Sequence, residues 1–556
     1  MTESKALVLF SLCVFRLINA LLIQTQFDPD EYWQTLEPAY CHAFGSSCAQ
    51  TWEWTRQAPS AASVLEQSLH GPVRSHLAIL PTYLYYEFVK ILHVDTPFMI
   101  SKGPVLLHAV LVAAPTDYFV WYLGGKLSSA RWSLFCSLTS WFQAFTLVRT
   151  YSNSIETVLL MAGIALVTSQ NKSNHTLAFV IGGMSVAIRF TSLAAWIPLG
   201  VLFGFYQSKS FKSRLVHLIF PCAFYGLLGL GLSILVDRYF YGFWTVPLLG
   251  NLYFNVVEGM GALYGSHPFH WYLTAGLPAI TGLMLPIFGF SIFQRGGAHN
   301  KLWIVIIPYI LLHSISAHKE FRFLLPILPL LCIVAGHTLS EQLDAVKYPR
   351  RKLLRIVVIV VFLVANSIAF LYLGVIHQRA PLDVNQAIVR RIQQVGNTDI
   401  ISVHYLMGCH STPLYSHLHV RGVQVDAWHL DCSPSCRASE TQVCESESFS
   451  RDPVGFVQET YAQVCTSSED EEDDDENVCH QPHVPNFVAI FSGDAAKVHS
   501  QLASIGLVQT DRFLHSIRGA TVLGVQIGDT DLMTREIASW IELSVDEIVL
   551  YERSIH

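Results

Sequence analysis

Four carboxylic acids crowd into one short segment of this chain, residues 27–38, which reads FDPDEYWQTLEP. They are Asp28, Asp30, Glu31 and Glu37. Carboxylates this close repel one another, so one of them can hold a proton near neutral pH, as a general base requires. The spacing therefore predicts proton-transfer chemistry in this segment.

Aromatic residues accompany these acids. If the segment begins an interfacial helix, Asp30, Trp33 and Glu37 share one face through the i, i+3, i+7 relation, and Gln34 lies beside them. The flat aromatic rings of this segment suit the faces of sugars. The alternative is an amphipathic helix that Tyr32 and Trp33 anchor at the headgroup level. That alternative explains the aromatic residues well but four acids beside a membrane poorly.

A second group follows in the same stretch of chain. It consists of Trp52, Glu53, Trp54 and Arg74, and we expect these residues to border the same site. The residues between them, 56–72, are rich in Ala, Ser and Pro, and this composition predicts a flexible insertion.

A third group lies between two apolar stretches and consists of His318, Lys319, Glu320 and Arg322. Lysine and arginine at such a position often only extend their charges to the membrane surface. The functional alternative is a cationic clamp for a lipid phosphate. Arg189 lies inside an apolar stretch, where a charge needs an anion or backbone carbonyls, and a phosphate is one candidate partner.

A fourth group comprises Asn255, His267 and His270. The two histidines lack a third ligand at helical spacing, so we expect them to bond a polar headgroup rather than a metal. Cys432 and Cys436 are spaced outside the usual two-residue zinc pattern, which favours a disulfide or free thiols. The sequence contains no phosphate-binding glycine loop or dinucleotide fingerprint, so a soluble nucleotide-sugar donor has no visible binding motif.

The composition indicates a membrane protein. Of 556 residues, 51% are hydrophobic and only 14% are charged, against about 25% charged in soluble domains. The mean hydropathy is +0.38. The net charge of −7 is due to an acidic run at 469–476, and without that run the chain is nearly neutral. A nucleic-acid partner is therefore not expected.

About eleven apolar stretches predict a bundle of membrane-spanning helices, since each is near the ~20 residues that cross a bilayer. They cover residues 6–23, 76–93, 103–123, 130–148, 155–170, 176–207, 215–236, 271–293, 302–316, 322–340 and 355–376. The first is interpreted as a retained span because it is long, contains Arg16 and lacks a clean cleavage site.

Sidedness follows from the cationic loops at 209–214, 295–301 and 347–355, which the positive-inside rule places in the cytosol. Four regions then lie on the opposite side: residues 24–75, which include the acidic segment 27–38, residues 237–270, residues 317–321 and the tail after residue 376. The same arrangement places Ser152 to Thr157 in the cytosol and the N-glycosylation sequons at Asn171 and Asn174 on the opposite side. Both sequons lie very close to the end of a span, so whether they are glycosylated stays open.

Two domains are expected: a membrane domain over 1–376, with a catalytic loop at about 24–75, and a small mixed α/β domain over 377–556. The second domain contains an acidic insertion, about 466–478, whose composition predicts disorder. Its six cysteines make disulfides plausible in an oxidising compartment, but their pairing stays open.

Several motifs together resemble the dolichyl-phosphate-mannose-dependent mannosyltransferases of glycosyltransferase family 22. They are FDPDEYWQTLEP, TWEW followed by RS, SNSIET, YGSHPFHWYLTAGLP and HKEFRFLLPILP. Within that family the chain looks most like the subfamily that adds the third mannose of GPI anchors, and the likeness extends to residues 377–379 and 407–417. The match spans most of the chain.

The resemblance implies a GT-C fold and a multi-pass enzyme of the endoplasmic reticulum membrane, with its active site and C-terminal domain in the lumen. It implies α1,2 transfer of mannose from dolichyl phosphate mannose to a dimannosyl GPI precursor, with inversion and without a metal or other cofactor. Asp30 would be the base, with Glu31 second and Asp28 third. His318, Lys319, Arg322 and Arg189 would hold the phosphate, and the tryptophans at 33, 52 and 54 would shape the sugar pocket.

Three alternatives stay open. The chain could add the fourth GPI mannose or a mannose of the N-glycan precursor, or it could be a transporter or lipid-handling scaffold. Transporters usually have repeated halves and carboxylates within their spans. This sequence has no evident repeat, and the acids of the candidate site lie in loops.

Overall fold

The structure is a computed structural model. It describes residues 2–45, 48–58, 63–169, 171–207, 211–293, 301–344, 349–395, 400–437, 443–461, 464–466, 478–480, 484–522, 525–528, 533–538 and 541–553. The acidic run at 469–476 lies outside the described residues, as do residues 209–210, 295–300 and 347–348 of the three cationic loops.

The membrane portion is helical. Its α-helices are α1 Thr2–Leu22, α2 Glu37–Phe44, α3 Trp52–Thr55, α4 Val64–His70, α5 Leu80–Ile91, α6 Pro97–His108, α7 Ala114–Leu127, α8 Ala130–Thr139, α9 Trp141–Thr146, α10 Ser152–Val167, α11 Lys172–Ile188, α12 Leu193–Gln207, α13 Phe211–Tyr241, α14 Pro247–Leu252, α15 Leu277–Thr281, α16 Leu285–Phe293, α17 Trp303–Ile315, α18 Leu328–Asp344 and α19 Pro349–Leu371. Five π-helical turns lie at Tyr32–Leu36, Ala109–Ala113, Tyr253–Val257, Tyr272–Gly276 and Tyr372–Ile376. Described 3-10 turns lie at Phe190–Ser192, Met260–Tyr264, Gly282–Met284 and Phe321–Ile327.

Six helical stretches in the described part of the chain are long and apolar enough to cross a membrane, and four shorter apolar helices accompany them. The long stretches are Lys5–Leu22, Pro97–Leu127, Ala223–Tyr241, Tyr272–Phe293, Phe321–Asp344 and Leu353–Gln394. The shorter ones are Ser152–Val167, Ser173–Ile188, Phe190–Val201 and Trp303–Ile315. The chain is therefore a multi-pass membrane protein.

Three of the predicted spans differ in the structure. The stretch 130–148 forms two short helices, α8 and α9, which are separated at Ser140. The stretch 76–93 forms α5, whose 12 residues cover only about 18 Å of a hydrocarbon layer about 30 Å thick. Its Tyr86 and Val89 are buried in a core shared with the C-terminal domain, so α5 does not cross. The stretch 176–207 instead forms two helices, α11 and α12, because the backbone becomes extended at Arg189.

The structure also groups the segments in the middle of the chain differently from the prediction. Arg189, at the end of α11, pairs with Glu156 in the first turns of α10, and it lines the same cavity as Asp30. Residues 152–157 therefore lie at the same end of the bundle as Asp30, whereas the prediction placed them on opposite sides of the membrane. The turn that carries Asn171 lies at the other end of α10, whereas the prediction placed it on the same side as Asp30.

The insertion at 56–72 is more ordered than its composition predicted. It contains α4, which a capping box between Ser63 and Glu66 begins. This Ser-x-x-Glu spacing is a known start signal of helices and was readable in the sequence. Helix α4 packs against α14, which places the insertion beside the membrane domain.

The C-terminal domain is a mixed α/β unit, as the sequence predicted. Its helices are α20 Ala380–Val395, α21 Tyr415–Leu418, α22 Pro434–Arg437, α23 Glu445–Arg451, α24 Pro453–Thr460 and α25 Ser492–Ser504. Its strands are β1 Ile400–Leu406, β2 Gln424–His429, β3 Val464–Thr466, β4 Val478–His480, β5 Phe487–Phe491, β6 Leu507–Val522, β7 Val525–Gly528, β8 Met533–Ala538 and β9 Ile541–Arg553. Seven strands form one sheet. Six of them follow the order β2-β1-β5-β9-β6-β7, and the seventh, β8, pairs with β9.

This sheet joins parallel and antiparallel strands. Strand β1 pairs in parallel with β2 and β5, and β9 pairs in antiparallel with β5, β6 and β8. One hydrophobic core contains α2, α5 and side chains of β1, β5 and β9. The domain is therefore packed against the acidic segment, so that its loops can reach the cavity beside that segment.

Candidate active site

A cavity of about 530 Å³ opens where the acidic segment, the 251–264 segment, the 316–323 segment and the C-terminal domain meet. Its volume lies in the range of small-ligand sites. Twelve of the predicted site residues line it, namely Asp28, Asp30, Trp33, Gln34, Trp52, Glu53, Arg74, Arg189, Asn255, His318, Glu320 and Arg322. Most of the predicted residues, which are far apart in sequence, are thus brought together.

The helix that carries Asp30 begins at the cavity wall. The Asp28 carboxylate accepts a hydrogen bond from the Asp30 backbone N–H at 2.9 Å, which caps this helix start. Pro29 follows the cap, where a missing N–H costs nothing. The Asp30 side chain is left to face the cavity.

Arg322 joins the two acidic groups of the cavity. Its guanidinium donates to the Asp30 carboxylate at 2.5 Å and to Glu320 at 2.9 Å, and it lies 3.6 Å from Asp28. Its Nη1 is buried without a hydrogen-bond partner among the described residues. One donor nitrogen of the guanidinium is therefore left without an acceptor in the described part of the protein.

The carboxylates around Arg322 differ in their proton affinity. Burial raises the pKa of Asp28 well above its ordinary value; Arg322 opposes this effect, and the charges of Asp30 and Glu320 add to it. Burial also acts to raise the pKa of Glu320, but the pairs with Arg322 and His318 outweigh it and hold that pKa well below its ordinary value. Glu320 therefore stays ionised, and Asp28 protonates first.

A second ion pair lines the opposite part of the wall. Arg74 donates to the Glu53 carboxylate at 2.7 Å, and Gln34 donates to the same oxygen at 3.4 Å. The Trp52 indole N–H donates to the Tyr264 hydroxyl at 3.1 Å. These bonds hold polar and aromatic side chains side by side on the wall, as binding of a sugar requires.

Arg189 is the third arginine of the wall. It lies 3.2 Å from Glu156 and donates to the Ser152 hydroxyl at 3.1 Å. The SNSIET motif thus positions a cavity arginine, which explains its presence beside the site.

Glu31 faces away from the cavity. Its carboxylate forms an ion pair with Arg149 at 2.6 Å, and both side chains are almost fully buried. The Thr150 hydroxyl donates to its backbone carbonyl at 2.8 Å. This partner satisfies the carboxylate within the bundle, so the expectation that Glu31 is the second candidate base has no support in the geometry.

Glu37 also lies off the predicted face. The π-helical turn at 32–36 inserts an extra residue and rotates the next residues about the helix axis. Glu37 is buried instead against the C-terminal domain, where it accepts from the Ser416 hydroxyl at 2.6 Å and the Leu414 N–H at 2.9 Å. Trp54 is buried in the same core and does not line the cavity.

Three other predicted residues lie outside the cavity lining. Lys319 is buried and donates to the backbone carbonyls of His267, at 2.9 Å, and of Ser316. His267 stacks on Trp271. His270 bonds Thr274 at 3.2 Å. Lys319 thus fastens two loops together rather than pointing at the cavity.

The C-terminal domain contributes a wall that the sequence did not predict. Cys409, His410, Cys432, Ser433 and Arg437 line the cavity. The two cysteines form a disulfide, so the cluster they make with His410 lacks the thiolates that a metal would need. The only advance signal was the likeness of residues 407–417 to the family.

The described cysteines form two further disulfides, Cys41–Cys48 and Cys436–Cys444. All three disulfides lie in the loop region 24–75 or in the C-terminal domain, and both of these adjoin the cavity. Three free cysteines in the described part of the chain, Cys13, Cys136 and Cys332, belong to helices of the bundle. This division is typical of a protein whose cavity faces an oxidising compartment.

Comparison with known proteins identifies the family. The model of the Alg9-like mannosyltransferase family matches residues 7–419. This chain belongs to that family. It is therefore a glycosyltransferase of family 22, as its motifs predicted.

Individual relatives agree over most of their length. The chain is 31% identical to Mannosyltransferase APTG1 of Arabidopsis thaliana over 91% of this chain and 89% of that protein. It is 32% identical to GPI alpha-1,2-mannosyltransferase 3 of Bos taurus, over 82% of this chain and 79% of that protein. The human protein of the same name is also 32% identical, over 82% and 77%.

Solved structures confirm the fold class. The apo crystal structure of ArnT from Cupriavidus metallidurans aligns over 99% of this chain and 98% of that one, with a TM-score of 0.51 at 11% identity. The same protein bound to undecaprenyl phosphate aligns with a TM-score of 0.50 at 9% identity. The chain therefore has the GT-C fold.

Proposed function

We propose that this glycosyltransferase transfers mannose in α1,2 linkage from dolichyl phosphate mannose to the second mannose of a GPI precursor. The observation that carries this proposal is the Asp30 carboxylate on the wall of a cavity that four arginines line, in a chain whose relatives are named GPI alpha-1,2-mannosyltransferase 3. The relatives favour this acceptor over the fourth GPI mannose and over the N-glycan precursor.

Asp30 is the proposed base. The oxygen of the acceptor 2-hydroxyl bonds to C1 of the mannose while the bond from C1 to the phosphate oxygen breaks, and Asp30 takes the hydroxyl proton. The donor is β-linked and the product α-linked, so a single displacement is sufficient. Asp30 can take this proton once the donor phosphate draws Arg322 away from it.

Arg322 is the main proposed partner of the leaving dolichyl phosphate. Its guanidinium lines the cavity, where it can donate to a phosphate oxygen while it keeps its bonds to Glu320. Arg189 and His318 line the same wall and add positive charge or donors. Charge on the departing group is thereby stabilised by donors that line the cavity.

No metal is proposed. A dolichyl monophosphate carries less charge than a nucleotide diphosphate, and the arginines supply the compensating charge. We expect the activity of the purified enzyme to be unaffected by EDTA. A loss of activity that Mn²⁺ or Mg²⁺ restores would contradict this part of the proposal.

The proposed location is the endoplasmic reticulum membrane, with the cavity and the C-terminal domain in the lumen. The disulfides at the cavity end support this side, because they form in oxidising compartments. The ArnT structure with undecaprenyl phosphate supports a lipid phosphate as the donor group at such a cavity.

The decisive experiment is complementation of cells that lack the third mannosyl transfer and accumulate dimannosyl GPI. Expression of this chain is expected to restore trimannosyl GPI, measured by chromatography of labelled lipids. Persistent dimannosyl GPI in cells with well-expressed protein would contradict the proposal. Recovery instead in cells deficient in the fourth GPI mannose or in an N-glycan mannose would assign one of the alternatives.

A further inference from the structure

The wall of the cavity that the C-terminal domain supplies is built differently from the rest. Its residues lie on two loops that the Cys409–Cys432 disulfide joins. The second disulfide, Cys436–Cys444, fixes the short helix that ends at Arg437. Two covalent links thus hold this wall in place, as a site for specific recognition requires.

Arg437 differs from the other arginines of the cavity in its charge balance. Arg74 pairs with Glu53 at 2.7 Å, Arg189 pairs with Glu156 at 3.2 Å, and Arg322 pairs with Asp30 at 2.5 Å. Arg437 has no carboxylate within 4 Å in the part of the chain that the structure describes. Its guanidinium is exposed to the cavity and is available to an anion from outside the protein.

Beside Arg437 the wall carries the His410 imidazole, which packs on the buried Trp33 indole. The ring centroids of His410 and Trp33 lie 4.5 Å apart, and the Trp33 indole N–H donates to the Thr412 carbonyl at 3.1 Å. Burial lowers the pKa of His410 to about 3, so the imidazole is neutral. The wall therefore combines a neutral imidazole with one cation.

The position of Arg437 in the chain separates it from the machinery that the family shares. The family model ends at residue 419, before Cys432 and Arg437, whereas Asp30 and Arg322 lie inside it. A wall outside the shared region is thus suited to selecting the acceptor.

We infer that the segment 432–437 is the acceptor-selecting wall of the site and that Arg437 binds a phosphate group on the acceptor glycolipid. This inference rests on the proposed function. The guanidinium suits phosphate because it can donate two parallel hydrogen bonds to it.

The test uses the purified full-length enzyme with dolichyl phosphate mannose and a synthetic dimannosyl glucosaminyl phosphatidylinositol. Arg437→Gln is expected to raise the KM for this acceptor about tenfold, because a charged hydrogen bond is lost, and to leave the donor KM unchanged. With a dimannoside that lacks phosphate, the variant and the wild type should have the same acceptor KM. Arg437→Lys keeps the charge and should fall between the two.

Arg451→Gln is the matched control. This arginine is exposed in the same domain, pairs with Glu447 and does not line the cavity, so its removal should change neither KM. An unchanged acceptor KM in Arg437→Gln would overturn the inference. So would an equal rise in the donor KM, which would assign the guanidinium to the donor phosphate. A wild-type enzyme that transfers mannose to neither acceptor would instead contradict the proposed function.

Discussion

The four acids of the segment 27–38 have four different environments, and these decide their roles. Asp28 caps the helix and has a raised pKa. Asp30 faces the cavity beside Arg322. Glu31 is neutralised by a buried arginine, and Glu37 accepts hydrogen bonds from the C-terminal domain. Similar side chains within eleven residues therefore cannot be assigned by type alone.

The proposed base can be separated from its neighbour by two amide substitutions. Asp30→Asn removes the proton acceptor and is expected to lower kcat by about 10²–10⁴-fold. Asp28→Asn keeps the helix cap, because asparagine caps as well as aspartate, and should lower kcat by less than about tenfold, which is below the ~10²-fold that loss of a base costs at least. Initial rates at saturating donor and acceptor measure both. The reverse order of effects would make Asp28 the base.

At the scale of elements, the π-helical turn at 32–36 links the site to the C-terminal domain. It turns Trp33 and Gln34 toward the cavity and Glu37 toward Ser416. Burial raises the pKa of Glu37 to about 7, against an ordinary value of about 4.3 in an unfolded chain. The folded protein therefore binds one more proton than the unfolded chain between these two values.

This difference predicts a pH dependence of stability. The contribution of Glu37 is fully present below about pH 4.3 and is lost as pH rises through the folded pKa of about 7. Glu37→Gln keeps an acceptor for Ser416 and should flatten this part of the profile. Thermal unfolding of both proteins between pH 5 and pH 8 measures the effect. Parallel profiles for the two proteins would show that Glu37 does not titrate in this range.

A buried ion pair joins the first helix to the bundle. Arg16 of α1 bonds Asp117 of α7 at 2.6 Å, and neither side chain is exposed. Ser137 of α8 donates to the same carboxylate at 2.8 Å. This pair explains the arginine within the first apolar stretch and supports its interpretation as a retained span.

Removing one member of this pair should be more harmful than removing both. Arg16→Met leaves Asp117 as an unpaired buried charge and is expected to destabilise the protein by about 3–5 kcal/mol. The double substitution Arg16→Met with Asp117→Leu should recover most of that loss, since apolar replacements of a buried pair are often neutral. Thermal stability in detergent measures this. A double variant as unstable as the single one would point to a specific need for the ion pair.

At the scale of the whole molecule, the map of helices in the bundle differs from the one that hydropathy predicts. Helix α5 stays at the cavity end, and α11 and α12 are separate helices. Residues 152–157 lie at the same end of the bundle as Asp30, whereas the hydropathy map places them on opposite sides of the membrane.

Cysteine labelling in sealed endoplasmic reticulum vesicles tests this map. A cysteine at the exposed Val94, just after α5, should react with an impermeant maleimide only after the vesicles are opened. A cysteine at the exposed Lys126, at the far end of α7, should react in sealed vesicles. Labelling of position 94 in sealed vesicles would restore 76–93 as a span.

The sequence by itself determined the class of the protein and most of its site. Hydropathy, which sums over neighbours in the chain, gave a multi-pass helical protein with a small mixed C-terminal domain. The clusters around Asp30, Glu53 and Arg322 were readable because each is local in sequence. The family followed from the same motifs.

Only the tertiary structure decided how these clusters meet. The bond between Arg322 and Asp30 joins residues 292 positions apart, and the wall that carries Arg437 reaches the cavity through the packing of a separate domain. Local patterns report which face of an element is apolar. They do not report which distant element covers that face, because this choice depends on the packing of the whole chain.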